Sequence, residues 1–151
     1  MRHTFLLEEG NWRVKGVYLD RDGNKKQVQG ETRVNHGPDS WASEGELEIQ
    51  GDEPTRLQNQ YQIAPMGESA DQTTWTCLDP REGTIRGTIA VVDDCVISSF
   101  RADATDYHGV DVLRKAKNDA YQSRGFAMRD GRKLSSWVLS IQRATNGKKA
   151  K

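Results

Sequence analysis

Strict alternation of side-chain types is the feature that most constrains this fold. The segments VQGETRVN (28–35), SWASEGELEIQ (40–50) and RLQNQYQI (56–63) each place apolar or small residues at every second position, with charged or amide residues between them. A period of two with one polar face is typical of half-buried antiparallel strands. These segments therefore predict a sheet with one solvent-facing side.

Further strands and regular turns extend the same pattern along the chain. Segments rich in Thr, Ile, Val and aromatic residues occur at 73–78, 83–92, 95–102 and 134–143. Turn sequences separate the strands, for example DRDGN at 20–24 and RDGR at 129–132, in which Asp-Gly pairs tolerate the positive φ of tight hairpins. The spacing of about a dozen residues from turn to turn is typical of a sandwich or a barrel.

One segment, 110–125, fits two structures. It can form a helix with an apolar stripe that ends at Gly125. It can also form two strands joined at Asn118–Asp119, with Val110 and Val112 on one face. The strand-like flanks favour the hairpin.

The resulting fold prediction is a single all-β domain over residues 1–144. Its eight to ten antiparallel strands follow one another with short connections. An up-and-down meander of this kind best avoids exposed edges by closing into a β-barrel, and a sandwich is the alternative. The remaining residues, 145–151, are expected to form a disordered basic tail.

Composition excludes several classes of function. The chain has 151 residues, of which 34% are hydrophobic and 29% charged, so the core is thin or the interior is partly polar. The 22 basic and 22 acidic residues cancel, which argues against nucleic-acid binding. The apolar run Phe5–Leu7 is too short for a membrane span or a secretory segment, so a cytoplasmic location is expected. Cys77 and Cys95 are expected to be free thiols.

No catalytic residue or metal site is predicted. The stretch DRDGNKKQVQGE starts like a calcium loop at Asp20, but Lys25 occupies the position that requires glycine, so a hairpin turn is favoured. His3, His36 and His108 lie far apart in sequence and are expected at surface or turn positions. His108 is the one that merits inspection, because it follows Asp106 and Tyr107.

Aromatic residues occur roughly once per strand and predict a ligand cavity. Ordinary core packing is the alternative. Polar residues on the apolar side of a strand are costly in a dry core but suit a wet cavity, and the low apolar content favours the cavity. The predicted ligand-binding residues are Trp41, Ser43, Asn59, Tyr61, Trp75, Phe100 and Trp137.

The triplet Gly10-Asn11-Trp12 at the start of the first strand, the all-β meander and Arg143 near the end of the last strand together resemble the calycins. That superfamily contains the lipocalins, the fatty-acid-binding proteins and the avidins. The resemblance implies a lipocalin-like barrel in which the tryptophan closes one end and a basic residue of the last strand packs across its ring. Trp12 and Arg143 are therefore expected to close the barrel as structural residues.

The chain also departs from those families. It lacks the helical pair of the fatty-acid-binding proteins, and no signal peptide or disulfide pattern of a secreted lipocalin is evident. The nitrobindin-like ten-stranded barrels are a better match. They bind haem through a histidine near the C-terminus. The last histidine here is His108, which gives little basis for haem, so no cofactor is expected.

The sequence thus favours non-enzymatic binding of a small apolar or amphipathic molecule inside the barrel. One alternative is a barrel with a filled core that acts as a protein-interaction or assembly module, and a homodimer is left open. A less favoured alternative is a small lyase or isomerase that uses the barrel mouth.

Overall fold

The structure, a computed structural model, describes residues 2–144 and shows a single closed barrel of ten antiparallel strands. No helix forms within those residues. The all-β meander barrel predicted from the alternation is confirmed, whereas the predicted tail, 145–151, lies outside the described residues. The strands are β1 (Gly10–Leu19), β2 (Lys25–His36), β3 (Trp41–Ile49), β4 (Thr55–Ile63), β5 (Gln72–Asp79), β6 (Gly83–Val92), β7 (Cys95–Ala102), β8 (His108–Lys117), β9 (Ala120–Arg129) and β10 (Arg132–Arg143).

Each strand pairs with its neighbours in sequence, and β1 pairs with β10 to close the wall. The closing register runs from Trp12 opposite Arg143 to Leu19 opposite Ser136. Closure pairs the first strand with the last, so no strand is left as an edge along its whole length.

The wall is weakest between β4 and β5. These strands pair only where Tyr61–Ile63 lies opposite Trp75–Cys77. The first part of β4, residues 55–60, is paired with β3 alone. The barrel therefore has a lateral opening beside the start of β4.

The ambiguous segment 110–125 forms a hairpin, as favoured from the sequence, and the helix alternative is wrong. Strands β8 and β9 pair on both sides of the Asn118–Asp119 turn. Val110 and Val112 do share one face, but it is the outer face of the wall, because Asp111 lies on the inner side with Leu113.

Residues 20–24 form the predicted turn. The Asp20 carboxylate accepts hydrogen bonds from the backbone N–H groups of Asp22 and Asn24, at 2.9 and 3.0 Å. It is therefore engaged by the backbone. Within residues 2–144, no group of three or more metal-ligating side chains comes together, and no helix long and apolar enough to cross a membrane is found.

Residues 2–9 cross one end of the barrel and seal it. The Phe5 ring packs edge-on against Trp12, with ring centroids 5.1 Å apart, and Leu6 is buried. Beneath them Trp12 and Tyr121 are almost wholly buried. We call this end, with residues 2–9, Trp12 and Tyr121, the closed end.

The position expected for His3 was wrong. His3 is only 2% exposed, because the N-terminal segment folds over the barrel and carries it inside. Its Nε2 donates to the backbone carbonyl of Asp93 at 2.8 Å, and its Nδ1 accepts from the Tyr121 hydroxyl at 2.8 Å. His36 is also part of the packing, with its ring stacked on Trp41 at 3.8 Å.

Candidate functional site

The half of the interior away from the closed end contains accessible space. Asn59, Tyr61, Ser98 and Phe100 point into the barrel and yet remain half-buried, whereas Val34 at the closed end is fully sealed. Because these side chains point inward, the surface left on them lies on the inner side of the wall. We call this region, around Tyr61, Phe100 and Asp111, the open half.

Aromatic rings form one side of the open half. The Tyr61 and Trp75 rings meet edge to face with centroids 4.9 Å apart, and Trp75 is 6.2 Å from Phe100. The row continues to Tyr107, which lies in the connection between β7 and β8, 5.8 Å from Phe100. Edge-to-face and tilted contacts at such distances are favourable and hold the rings as a rigid apolar wall.

Two glycines make room for the indole rings. A Cβ at Gly87 would lie 2.1 Å from the Trp75 ring, and one at Gly125 would lie 2.5 Å from the Trp137 ring. Each tryptophan therefore lies across the backbone of the neighbouring strand, and its ring orientation depends on the missing side chain. Trp75 is further fixed by its Nε1–H, which donates to the Ser98 hydroxyl at 2.8 Å.

A carboxyl group, Asp111, faces the same space. Its Oδ1 accepts two hydrogen bonds, from the Ser123 hydroxyl at 2.6 Å and from the Trp137 Nε1–H at 2.9 Å. Burial raises the pKa of Asp111 above its ordinary value, and the two hydrogen bonds oppose that rise in part. The other oxygen, Oδ2, receives no hydrogen bond from any of residues 2–144.

The neighbouring acids are engaged by the fold. Asp79 accepts from the backbone N–H groups of Arg81 and Glu82, at 2.8 and 2.9 Å, and so caps the turn after β5. Glu82 is buried, forms an ion pair with Arg129 and accepts from the Thr105 hydroxyl. Asp79, like Asp111, has an Oδ2 with no donor among residues 2–144, but Asp79 is bound by the backbone of its own turn, whereas Asp111 is held by side chains of β9 and β10.

The remaining titratable groups in the open half are neutral at physiological pH. Burial is the main cause that raises the pKa of Cys77 to about 11 and that of Tyr107 to about 12. Burial also raises the pKa of Tyr61, with smaller contributions from Cys77 and Asp111. A thiol with such a pKa is a poor nucleophile, so covalent chemistry at Cys77 is disfavoured.

The structure brings together most of the residues singled out from the sequence. Tyr61, Trp75 and Phe100 form the aromatic wall, and Trp137 binds Asp111 on the neighbouring side. Asn59 points inward beside Gly45, near the lateral opening between β4 and β5.

Trp41 and Ser43 lie nearer the closed end. Trp41 is stacked on His36 and lies opposite Ile63. The Ser43 hydroxyl is buried and lies 3.3 Å from the Thr32 hydroxyl. Neither side chain contacts the aromatic row at Phe100 or the Asp111 carboxylate among the hydrogen bonds and ring contacts of residues 2–144.

The expected closing pair is found at the closed end. The Arg143 guanidinium lies 5.0 Å from the centroid of the Trp12 ring, within the range of a cation–π contact. Arg143 also forms ion pairs with Glu8 at 2.9 Å and Asp119 at 3.2 Å.

Asp111, Ser123 and Tyr107 were not singled out from the sequence. The alternation of β8 could have indicated that Asp111 faces inward, because Asp111 shares its side of the strand with Gly109 and the apolar Leu113. Val110 and Val112 pointed to the opposite assignment, because two β-branched residues on one side of a strand suggest that this side faces the core. No local signal marks Tyr107, whose position depends on how its loop crosses the barrel.

The arrangement can accept a hydrogen bond or an ion pair from a bound molecule at Oδ2 of Asp111. Use of Asp111 as a base would need a second group to complete proton transfer. The three histidines do not supply it: His3 and His36 bond to groups at the closed end, and the His108 Nδ1 bonds to the Asp106 backbone carbonyl at 2.7 Å.

The barrel is similar to the solved structure of an S-type phycobiliprotein lyase, CPES, from Guillardia theta. The TM-score is 0.52 at 8% identity, over 94% of this chain and 91% of that chain. At this identity the similarity shows the fold alone. It supports the closed antiparallel barrel and carries no activity to this chain.

Two further structures are less similar and carry no argument. An N-terminal dehydratase from the difficidin assembly line has a TM-score of 0.28 and 9% identity, over 95% of this chain and 81% of that one. A putative AttH from Nitrosomonas europaea has a TM-score of 0.30 and 11% identity, over 88% of this chain and 49% of that one. No protein-family model and no curated protein sequence matches the chain.

Proposed function

We propose that this protein binds a small apolar or amphipathic molecule in the open half of its barrel, without catalysing a reaction. The observation that carries the proposal is the accessible surface left on inward-facing Tyr61, Ser98 and Phe100 inside a closed wall. A concave, mainly aromatic space with a few polar groups is the usual composition of a small-molecule site.

The residues have distinct roles in this proposal. Tyr61, Trp75 and Phe100 bury the apolar body of the ligand, and Asn59 offers an amide near the lateral opening. Burial of apolar area at about 25 cal/mol per Å² supplies the main driving force. The closed end holds the barrel together and does not contact the ligand. The phycobiliprotein lyase supports the proposal only through its barrel, since it shares 8% of its residues with this chain.

Native mass spectrometry of freshly purified protein tests the proposal. Extra mass that leaves on denaturation supports a bound molecule and gives its identity. If the protein is empty and does not take up any of a panel of lipids, haem and hydrophobic dyes, the proposal is wrong.

A matched pair of variants then locates the molecule. Leu139 is half-buried and shares its side of β10 with Ile141, whereas the adjacent Val138 is 41% exposed on the outer face. Leu139→Trp fills interior space and should remove the extra mass. Val138→Trp adds the same ring on the outer face, and this variant should retain the extra mass. If both variants lose the extra mass while their thermal melts match that of the wild type, the molecule does not bind in the barrel interior.

One observation favours a second candidate function, assembly through the outer wall. Phe126 is 40% and Val138 41% exposed, and Val110 and Val112 adjoin them on the same outer face. Apolar surface of this kind is common at contacts between proteins. Sedimentation of the wild type and of Phe126→Ser tests it. A dimer that the variant loses supports assembly, and a monomer at all concentrations contradicts it.

A further inference from the structure

We infer that the molecule bound in the open half carries a protonated amine or another organic cation, and that Asp111 is the residue that selects it. The inference rests on the proposed function, because it specifies the ligand of the same cavity. It depends on three features of the structure: a carboxylate with one bonded oxygen, the absence among residues 2–144 of a cation paired with it, and the aromatic rings near it.

The first feature is the geometry of the carboxylate. The Ser123 hydroxyl and the Trp137 Nε1–H both donate to Oδ1, which fixes the plane of the group from two strands, β9 and β10. Oδ2 has no donor among residues 2–144, but it is not among the fully buried atoms that lack a partner. One oxygen is therefore held rigid while the other is presented to accessible space.

The second feature is the lack of a counter-ion. None of the ion pairs within residues 2–144 involves Asp111. Arg129, at the end of β9, is paired with Glu82. Lys115 and Arg143 are at the closed end, where they bond to Arg2 and Glu8. A desolvated carboxylate without a partner is costly, so a cationic ligand would gain an ion pair where a neutral one would not.

The third feature is the set of rings beside the carboxylate. The Trp137 Nε1–H donates to Asp111, and Tyr61, whose pKa is raised mainly by burial and in smaller part by Cys77 and Asp111, faces the same space. Aromatic faces attract cations, and the attraction is strongest where water is excluded. A carboxylate together with tryptophan and tyrosine rings suits an ammonium group on an apolar body.

Three probes with one apolar body and different head groups test the inference: decylamine, decanol and decanoate, each below the concentration at which it forms micelles. Binding is followed by NMR at the Trp137 indole N–H, which donates to Asp111 and so reports on this site. We expect decylamine to bind about tenfold or more tighter than decanol, and decanoate to bind weakest.

The variant Asp111→Asn keeps the shape and an oxygen that can accept both hydrogen bonds, but removes the charge. It should reduce decylamine affinity to that of decanol and leave decanol affinity unchanged. Asp52→Asn is the control, because it removes the same charge from an exposed turn between β3 and β4 and should change neither. The ranking of the probes on the wild type stands as a test even if the variant does not fold.

The outcomes separate this inference from the proposed function. Equal affinity for decylamine and decanol, unchanged in Asp111→Asn, would overturn the role of Asp111 and leave the binding function standing. Preference for decanoate would also overturn it, since it would show that Asp111 is protonated and acts as a donor. Failure of all three probes to bind would count against the proposed function, and the inference would fall with it.

Discussion

The closed end and the open half of this barrel are built from the same residue types and are packed in opposite ways. At the closed end, Trp12 and Tyr121 are 0% and 1% exposed and are covered by the N-terminal segment. In the open half, Tyr61 and Phe100 also face inward but remain half-buried, and the polar group among the rings is a carboxyl with a free oxygen.

The two regions differ in how accessible their unused polar atoms are: Nε1 of Trp12 is sealed in the closed end without a hydrogen-bond partner among residues 2–144, whereas Oδ2 of Asp111 is not fully buried. Tyr121 accepts from the Thr4 backbone N–H at 3.1 Å and donates to His3, so its hydroxyl is fully used by the fold. Asp111 is only half used, and burial raises its pKa. Titratable groups with shifted pKa values concentrate at functional sites. We therefore expect changes at the closed end to affect folding, and changes in the open half to affect binding.

The largest expected effect is that of Trp12→Ala. Removal of a fully buried indole should lower the free energy of unfolding by about 3–5 kcal/mol, the usual cost of such a cavity. Urea denaturation measures it, and decylamine affinity of the folded fraction should be unchanged. A loss below about 1 kcal/mol would show that the closed end does not hold the barrel together.

Tyr121→Phe should have a smaller effect of the same kind. It leaves the Thr4 N–H and the buried His3 ring without their partner, which costs about 1–3 kcal/mol of unfolding free energy. Tyr18→Phe is the matched control, because Tyr18 is a half-buried tyrosine for which residues 2–144 provide no side-chain hydrogen bond. Equal losses in the two variants would contradict the account.

Gly125→Ala should affect both stability and binding. Its Cβ would lie 2.5 Å from the Trp137 ring, so the ring must shift, at a cost of about 1–3 kcal/mol. The shift moves the indole N–H away from Asp111 and should weaken decylamine binding. Gly67→Ala is the control, because a Cβ there meets no atom within 4 Å. A Trp137 indole signal unchanged in Gly125→Ala would disprove the coupling.

Asp111→Asn should have the smallest effect on stability, and it should stabilise the protein where the preceding variants destabilise it. Removal of a desolvated charge should raise the unfolding free energy by about 0.5–2 kcal/mol at neutral pH in the absence of ligand. Ser123 and Trp137, which bond to the carboxyl, and Ser98, which lies opposite it on β7, carry no charge, and burial keeps Tyr61 neutral at that pH.

The pH dependence of that gain follows from the direction of the pKa shift. Because the pKa of Asp111 is raised from 3.8, the folded state holds its proton to higher pH than the unfolded state does. The wild type therefore loses stability as pH rises through this window, and the variant does not. The advantage of Asp111→Asn should be full above the raised pKa and should vanish as pH falls towards 3.8. A variant less stable than the wild type at neutral pH would show that the charge is stabilising.

The sequence predicted the wall of the barrel well, because alternation with period two is local. It identified the 110–125 hairpin through its strand-like flanks. Two features could not be predicted in that way. His3 is buried only because residues 2–9 fold across the β6–β7 turn at Asp93 and strand β9 at Tyr121, which lie about ninety or more positions away in sequence.

The sequence also could not predict which side of β8 faces the interior. Alternation separates Asp111 from Val110 and Val112 but does not state which side is inside. That choice depends on Gly125 and Ser123 of β9, which give the carboxyl room and a donor. A buried acid is too costly to be expected from hydrophobicity, and functional sites are where such expectations fail.

The most direct test of the contrast between the two ends is an NMR titration of tryptophan indole N–H signals with decylamine. Trp12 reports on the closed end, and Trp75 and Trp137 report on the open half. We expect the Trp137 and Trp75 signals to shift on binding while the Trp12 signal stays fixed. A shift of Trp12 with Trp137 unchanged would place the ligand at the wrong end, and no shift at any tryptophan would leave the open half without a ligand.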